Sequence, residues 1–247
     1  MWIRSIPNDL ERCRSFSQNL NFLWKSDAAQ IYVMDNHLAA AWCWMKSCSA
    51  YDCYNFLHID QHKDTTTFGS YESYSHLSDP NLSLDDYTKL VSPNSNGSGP
   101  TFRWDNYIHH SNALFPNWFN TCYFATHRDI NIDILQSETM MKVTESIWPY
   151  TMISRIDELM DESKNKWIVN LDLDYFFDSD KNRYNSDDYI RRVSKILLAH
   201  SKQIQVLTIA LSPECCGGWR KAIDCFDIFA WSYSPEIFYE VMEKLGY

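Results

Sequence analysis

Three short words in this sequence gather the residue types that hold metal ions and activate water. The first is Asp60-Gln61-His62-Lys63-Asp64, with acid, imidazole and acid at alternate positions. The second is Asp172-Leu173-Asp174, and the third is Asp35-Asn36-His37. Each directly follows an apolar run with strand character. In extended backbone, residues two apart share a face. Asp60, His62 and Asp64 are therefore expected on one face of their strand, and Asp172 and Asp174 on one face of theirs. Crowded carboxylates repel and raise one another's pKa; divalent cations remove that penalty. Mixed carboxylate and imidazole donors suit Mn, Fe, Zn or Co better than Ca or Mg. Two such ions about 3.5–4 Å apart can lower the pKa of a shared water enough to yield a nucleophile near neutral pH. No thiolate lies within the three words, which argues against a structural zinc site. Taken singly, each residue has an ordinary reading. An acid after a strand caps a turn or helix, and His58 reads as a packed or hydrogen-bonded core group. Asp-x-His-x-Asp and Asp-x-Asp, each at the end of an apolar strand, are hard to explain as caps together, so the joint metal reading is preferred.

The elements that must position these residues alternate between strand and helix. Strands are expected over 30–34, ending at Asp35; over 54–59, ending at Asp60; over 118–125; over 167–171, running into Asp172; and over 205–211. Helices are expected over 38–48, capped by Asn36 or Asp35, and over 154–164, with Ile156, Leu159 and Met160 on one face. Further helices are expected over 187–200, 220–230 and 235–245. Strands alternating with helices imply an α/β fold: a single three-layer domain, 1–247, with a mostly parallel sheet and helices on both faces. Ligands of such sheets collect outside the carboxyl ends of the strands, where all three words fall. The stretch from 65 to 116 is rich in Ser, Asn, Pro, Asp and Tyr. It is expected to be a loop-rich excursion over the strand ends, with 92–100 as its turn-rich core. No internal repeat is visible.

Composition sets the outer limits. The chain has 247 residues, 45% hydrophobic and 22% charged, enough to bury a full core. The formal charge of −10 argues against nucleic acid as a partner, because phosphate contacts need a basic surface. It fits a cationic substrate or a polycationic metal site. With 6 glycines, no glycine-rich phosphate loop can be assembled. The longest apolar run, 38–45, is far short of the roughly 20 residues of a membrane span. The first residues lack the long apolar stretch of a signal peptide. The cysteines show no C-x-x-C pair, so reduced thiols and a cytoplasmic location are expected. The adjacent Cys215 and Cys216 read as two packed thiols.

With these residues in place, the chain resembles the arginase and deacetylase superfamily. The flanking words 33–37, 58–64 and 170–176 resemble more specifically its peptide-arginase branch from ribosomally made peptide pathways. The resemblance spans about 30–220 and is concentrated in those three words. It implies an arginase-like fold and two Mn2+ per chain. It implies that His37, Asp60, Asp64 and Asp172 hold one manganese and that His62, Asp60, Asp172 and Asp174 hold the other, Asp60 and Asp172 bridging. Typical arginases carry a glycine-rich Gly-Gly-Asp-His at the first word, where this chain has Met34-Asp35-Asn36-His37. The implied reaction is hydrolysis of arginine side chains in a precursor peptide to ornithine and urea. Asp64 would pass a proton to the leaving nitrogen. Glu214, just past the last parallel strand, would anchor the guanidinium as a catalytic and substrate-binding carboxylate; otherwise it is a charge at the start of the next helix. His76 is the expected proton shuttle, with His109 and His110 as competitors; His127 and His200 have no motif context. Two other functions fit the same residues. One is a different ureohydrolase or a deacetylase, acting on a small amidine or acyl-lysine. The other is an inactive peptide-binding relative. The preference for a peptide partner rests mainly on the resemblance. Assembly into a homo-oligomer is left open, as relatives often assemble but nothing marks an interface.

Overall fold

A computed structural model of the chain describes residues 1–7, 10, 13, 19–67, 79, 81–94, 97–127 and 130–245. The strands are β1 (Trp2–Arg4), β2 (Phe22–Lys25), β3 (Ile31–Asp35), β4 (Tyr54–Ile59), β5 (Val91–Asn94), β6 (Gly97–Pro100), β7 (Phe119–Ala125), β8 (Val143–Ile147), β9 (Trp167–Asp172) and β10 (Ile204–Ala210). The helices are α1 (Ala40–Ser47), α2 (Leu84–Lys89), α3 (Tyr107–Leu114), α4 (Ile132–Thr139), α5 (Met152–Glu162), α6 (Asp187–Ala199), α7 (Pro213–Cys216), α8 (Trp219–Tyr233) and α9 (Pro235–Leu245).

Eight strands form one sheet in the order β1-β2-β3-β10-β9-β4-β7-β8. From β3 to β8 every neighbouring pair is parallel. The short β1 and β2 add an antiparallel edge. The expected three-layer α/β arrangement is therefore present, with an antiparallel margin that the sequence reading missed. Strands this short carry little periodic signal.

The central strands are buried on both faces, as in most parallel sheets. β4 and β9 are buried along their whole length. Successive residues serve different layers. Leu57, Ile59, Val169, Leu171, Leu207 and Ile209 pack in one core with α5, α6, α8 and α9. Phe56, Ile168, Val206 and Ala210 face the other core, with Trp44 of α1, Tyr87 of α2 and Tyr107 of α3. On α5, Ile156, Leu159 and Met160 are buried together, as their spacing requires. α6 is capped by Ser186, whose side chain accepts from the Tyr189 amide, with Asp187 and Asp188 in its first turn.

Two local expectations change. The helix expected over 38–48 opens with a 3-10 turn, His37–Ala39, before α1; Asn36 caps it by accepting from the Leu38 amide. The segment expected to be loop-rich contains α2, α3 and a hairpin of β5 and β6 across 91–100. Its Gly and Ser residues suit a two-stranded ribbon as well as an open loop, and turn composition alone does not separate them.

Leu171 sits at the middle of the sheet, fully buried beneath the site. Leu171→Ala is expected to lower unfolding free energy by about 2–5 kcal/mol, through lost transfer energy and a residual cavity. Urea unfolding monitored by circular dichroism checks this; a loss below about 1 kcal/mol would mean the site's floor is not closely packed.

Candidate metal centre

The carboxyl ends of β3, β10, β9 and β4 lie side by side, and each delivers residues to one place. β3 leads to His37, β4 to Asp60, His62 and Asp64, β9 to Asp172 and Asp174, and β10 to Ser212, Glu214 and Cys215. Chain order reverses here, since β3 is followed by β4 on the far side of β9 and β10. That is the topological switch point at which α/β sheets bind ligands.

The convergence does not come from extended backbone, as the spacing suggested. β4 ends at Ile59 and β9 at Asp172; Asp60 to His62 turn, and Asp174 lies in a 3-10 turn, Leu173–Phe176. The turns are held by the acids themselves. Asp60 Oδ1 accepts from the His62 amide at 2.6 Å, and Asp172 Oδ1 from the Asp174 amide at 3.1 Å. Asp174 Oδ1 accepts from the Gln61 amide at 3.1 Å and ties the two loops together. The remaining oxygens are thereby directed inward. Asp64 (φ 46°) and Ser212 (φ 43°) adopt left-handed backbone, which costs a non-glycine residue on the order of 1 kcal/mol. Beyond Ser212, α7 ends at Gly217 (φ 85°), where a Cβ would meet Lys181 O at 3.1 Å.

Two groups of donors result. In the first, His37 Nδ1 lies 3.0 Å from Asp172 Oδ2, 3.4 Å from Asp64 Oδ2 and 3.6 Å from Asp60 Oδ2. In the second, His62 Nδ1 lies 3.0 Å from Asp174 Oδ2 and 3.5 Å from Asp60 Oδ1. Asp60 thus reaches both. All six residues named from the three words are brought together. His37, Asp60 and Asp172 form a buried group able to hold a metal ion; His62, Asp174 and Cys215 form a second such group, with His62 exposed and Cys215 half-buried. Asp60 Oδ2 is buried without a hydrogen-bond partner, a costly state that a cation would relieve.

The charges act on one another. Burial, then the Asp174, Asp64 and Asp172 charges, drive the Asp60 carboxyl well above its ordinary range. Burial pushes Asp64 up to about 6, with His37 opposing, and burial and Asp174 raise Asp172. For Asp174 burial works upward, but the hydrogen bond and charge of His62 outweigh it and the pKa falls. The same hydrogen bond lifts His62 to about 9. Burial opposes a charge on His37, yet Asp172, Asp64 and Asp60 raise it well above 6.5.

Behind the donors lies a polar layer on the α1 and α3 side of the sheet. Asn170 Oδ1 accepts from His37 Nε2 at 3.1 Å and from Thr208 Oγ1 at 2.8 Å. The Asn170 amide donates to His58 Nδ1 and to the Tyr107 hydroxyl, both at 2.9 Å. His58 Nε2 in turn donates to His62 O at 3.1 Å. With Asn170 Oδ1 as acceptor, a neutral His37 carries its proton on Nε2, and Nδ1, 3.2 Å from the Tyr107 hydroxyl, faces the carboxylates. Burial, then the neighbouring His37 charge, hold the His58 pKa well below 6.5, consistent with a neutral ring. The sequence reading took His58 as a hydrogen-bonded core group, which it is. It did not find Asn170, Thr208 or Tyr107. Period-two alternation along β4, β9 and β10 puts His58, Asn170 and Thr208 on one face, a signal that could have been read.

A cavity of about 310 Å³ opens over the donors, lined by Asp35, Asn36, His37, His62, Asp64, Arg103, Trp104, Asp172, Asp174, Ser212, Glu214 and Cys215. Glu214 thus stands in the site as well as in the first turn of α7. Ser212 Oγ donates to Asp172 Oδ2 at 2.6 Å. Cys215, expected to be a packed thiol like Cys216, instead borders the cavity; only Cys216 is fully buried. His76 lies outside the described residues. His109 and His110 are buried on α3 and do not line this cavity. His127 borders a neighbouring cavity, and His200 bonds Asp157 at 2.8 Å, remote from the centre in sequence and role. No helix among the described residues is long and apolar enough to cross a membrane. No protein-family model matches the chain, and no curated protein matches it.

Without a cation, Asp60, Asp64, Asp172, His37 and His62 all hold protons more tightly in the fold than in the unfolded chain. A fold that binds more protons than its unfolded state loses stability as pH rises. The metal-free protein is expected to melt at falling temperatures from about pH 5 to about pH 9, first through the Asp64 range and then through that of His62. Asp174, lowered, opposes this only below about pH 4. With divalent metal the trend reverses, because protons and metal compete for the same atoms. Thermal scans in chelator and in Mn2+ check both slopes; a Tm that climbs with pH in chelator would contradict the burial of these carboxylates.

Proposed function

We propose that the chain is a metal-dependent hydrolase of the arginase type, converting arginine side chains of a peptide to ornithine with release of urea. The observation that carries this reading is one cavity lined by His37, His62, Asp64, Asp172 and Asp174, with Asp60 buried against both imidazoles, and by a further carboxylate, Glu214, outside the donor set. The donors fit a pair of divalent cations: four carboxylates offset the four positive charges, two imidazoles complete the donor set, and Asp60 Oδ2 otherwise has no hydrogen-bond partner. Manganese suits the oxygen and nitrogen donors around His37. Bound there, the cations would act as Lewis acids that make water nucleophilic near neutral pH.

The chain's own residues supply the remaining work. Glu214 accepts N–H bonds from the guanidinium and fixes its plane, a task suited to a carboxylate. Asp64, a carboxylate lining the cavity, is placed to pass a proton to the departing amine. Ser212 holds Asp172 in orientation through its 2.6 Å hydrogen bond. Arg103 is engaged bidentately by Asp105, at 3.0 and 2.7 Å, which keeps one fixed cation at the rim. A peptide substrate is supported by a second cavity of about 760 Å³ that adjoins the first through His62, Asp64 and Trp104. The target side chain would enter the smaller space while flanking residues lie along the larger.

The test is urea release by Mn2+-loaded protein, assayed in parallel on free arginine and an arginine-containing peptide, with Asp172→Ala as control. Urea with a mass loss of about 42 Da, on the peptide alone, is the expected result of this hydrolysis. Urea from free arginine alone would redirect the reading to a metabolic arginase. No urea from either, with metal bound, would favour a different amidine or acyl substrate, or a binding protein without turnover. Glu214→Gln is expected to lower kcat/KM on the peptide about 30–150-fold, about 2–3 kcal/mol for one side of a charge pair, while leaving metal content unchanged.

A further inference from the structure

One donor in the centre belongs to none of the three words. The ligand atoms of His62, Asp174 and Cys215 all lie within 4.8 Å of one another. The loop after β10 sets this up: Ser212 is anchored to Asp172, and the Cys215 amide donates to Ser212 O at 3.0 Å. The neighbouring thiol is used differently, since Cys216 Sγ donates to Leu211 O at 3.4 Å within the core. The two adjacent cysteines are thus divided, one packed and one at the cavity. The other donor group, His37, Asp60 and Asp172, contains no sulfur. Asp60, whose Oδ2 is buried without a hydrogen-bond partner, reaches toward both imidazoles and links the two positions.

We propose that Cys215 is a metal ligand, and that it makes the two positions of the centre chemically unequal. The inference rests on the dimetal reading above. The His37 position, with oxygen and nitrogen donors alone, takes manganese. The His62 position, with imidazole, carboxylate and thiolate, takes a more thiophilic cation of the zinc, cobalt or iron(II) class. On binding, the Sγ–metal bond forms as the S–H proton leaves to solvent. Because the thiolate adds one negative charge beside Asp174, it also tightens the hold on the cation there.

Cobalt(II) provides a probe with a readout independent of turnover. The full chain is dialysed against Co2+, bound metal is counted, and the near-ultraviolet spectrum is recorded for the wild type, Cys215→Ser and Cys53→Ser; Cys53 is exposed and serves as the control. The expected result is two cobalt ions per chain with a sulfur-to-cobalt charge-transfer band in the wild type and Cys53→Ser. In Cys215→Ser, with native circular dichroism, the band is lost and the second cobalt binds about tenfold or more weakly. Wild-type protein should also take one zinc from an equimolar zinc and manganese mixture, and Cys215→Ser should lose that preference. Two bound cobalt ions without the band, or a band that persists in Cys215→Ser, would overturn the role of Cys215 and leave the dimetal reading standing. Absence of bound cobalt in all three proteins would overturn both.

Discussion

Four buried carboxylates and two imidazoles, His37 buried and His62 exposed at the mouth, share one site, and their mutual repulsion and attraction is the constraint on which the rest of the structure turns. Burial alone would protonate the acids, and proximity to one another would drive them further in that direction. The imidazoles offset part of this: His62 holds Asp174 ionised, and His37 stands within 3.6 Å of three carboxylates. What the side chains do not supply is a hydrogen-bond partner for Asp60 Oδ2, which lies 3.6 Å from His37 and 3.5 Å from His58. A site so arranged is able to hold positive charge from outside the chain, and it opens to a cavity of about 310 Å³.

The sheet exists to hold that arrangement still. Toward their carboxyl ends its central strands are apolar on one face, through Leu57, Ile59, Val169, Leu171, Leu207 and Ile209, against α5, α6, α8 and α9. On the other face the same alternation becomes polar near the carboxyl end, through His58, Asn170 and Thr208, before reaching Asp60 and Asp172. A polar layer inside a core is tolerable only when each group has a partner. Here Asn170 serves His37, His58, Tyr107 and Thr208 at once. The result is a stiff support whose hydrogen-bond directions decide which nitrogen of His37 faces the centre.

The loop after β10 is the adaptable part. Ser212, Glu214 and Cys215 approach the same donors from one strand end, and each has a different chemistry: an orienting hydroxyl, a carboxylate open to the cavity and a soft sulfur. Left-handed backbone at Ser212 and at Gly217 confines that turn to a path close above Asp172 and Asp174. Three different side-chain chemistries are thereby concentrated within four consecutive residues, 212–215, beside the donors that follow β4 and β9.

Much of this was legible in order along the chain. Strand ends followed by Asp-x-His-x-Asp, Asp-x-Asp and Asp-Asn-His marked the six donors, because apolar runs locate strands and the residues just beyond them sit at a sheet edge. The positions of β4, β9, β10 and α9 likewise followed from local periodicity. Local pattern did not reveal which strands would be neighbours, so it did not reveal that the loop after β10 lies between those of β3 and β9. Hence Cys215 read as a packed thiol, and Asn170 as one more strand residue. The turn at Asp60 to Asp64 was also misjudged, since strand alternation stops where the ladder stops and hydrogen bonds from the acids themselves take over. The sequence by itself determined which residues carry the charge and which faces are apolar, because those depend on spacing along one segment. Tertiary structure alone decided which charges meet and which thiol joins them, because that depends on the order in which distant segments pack.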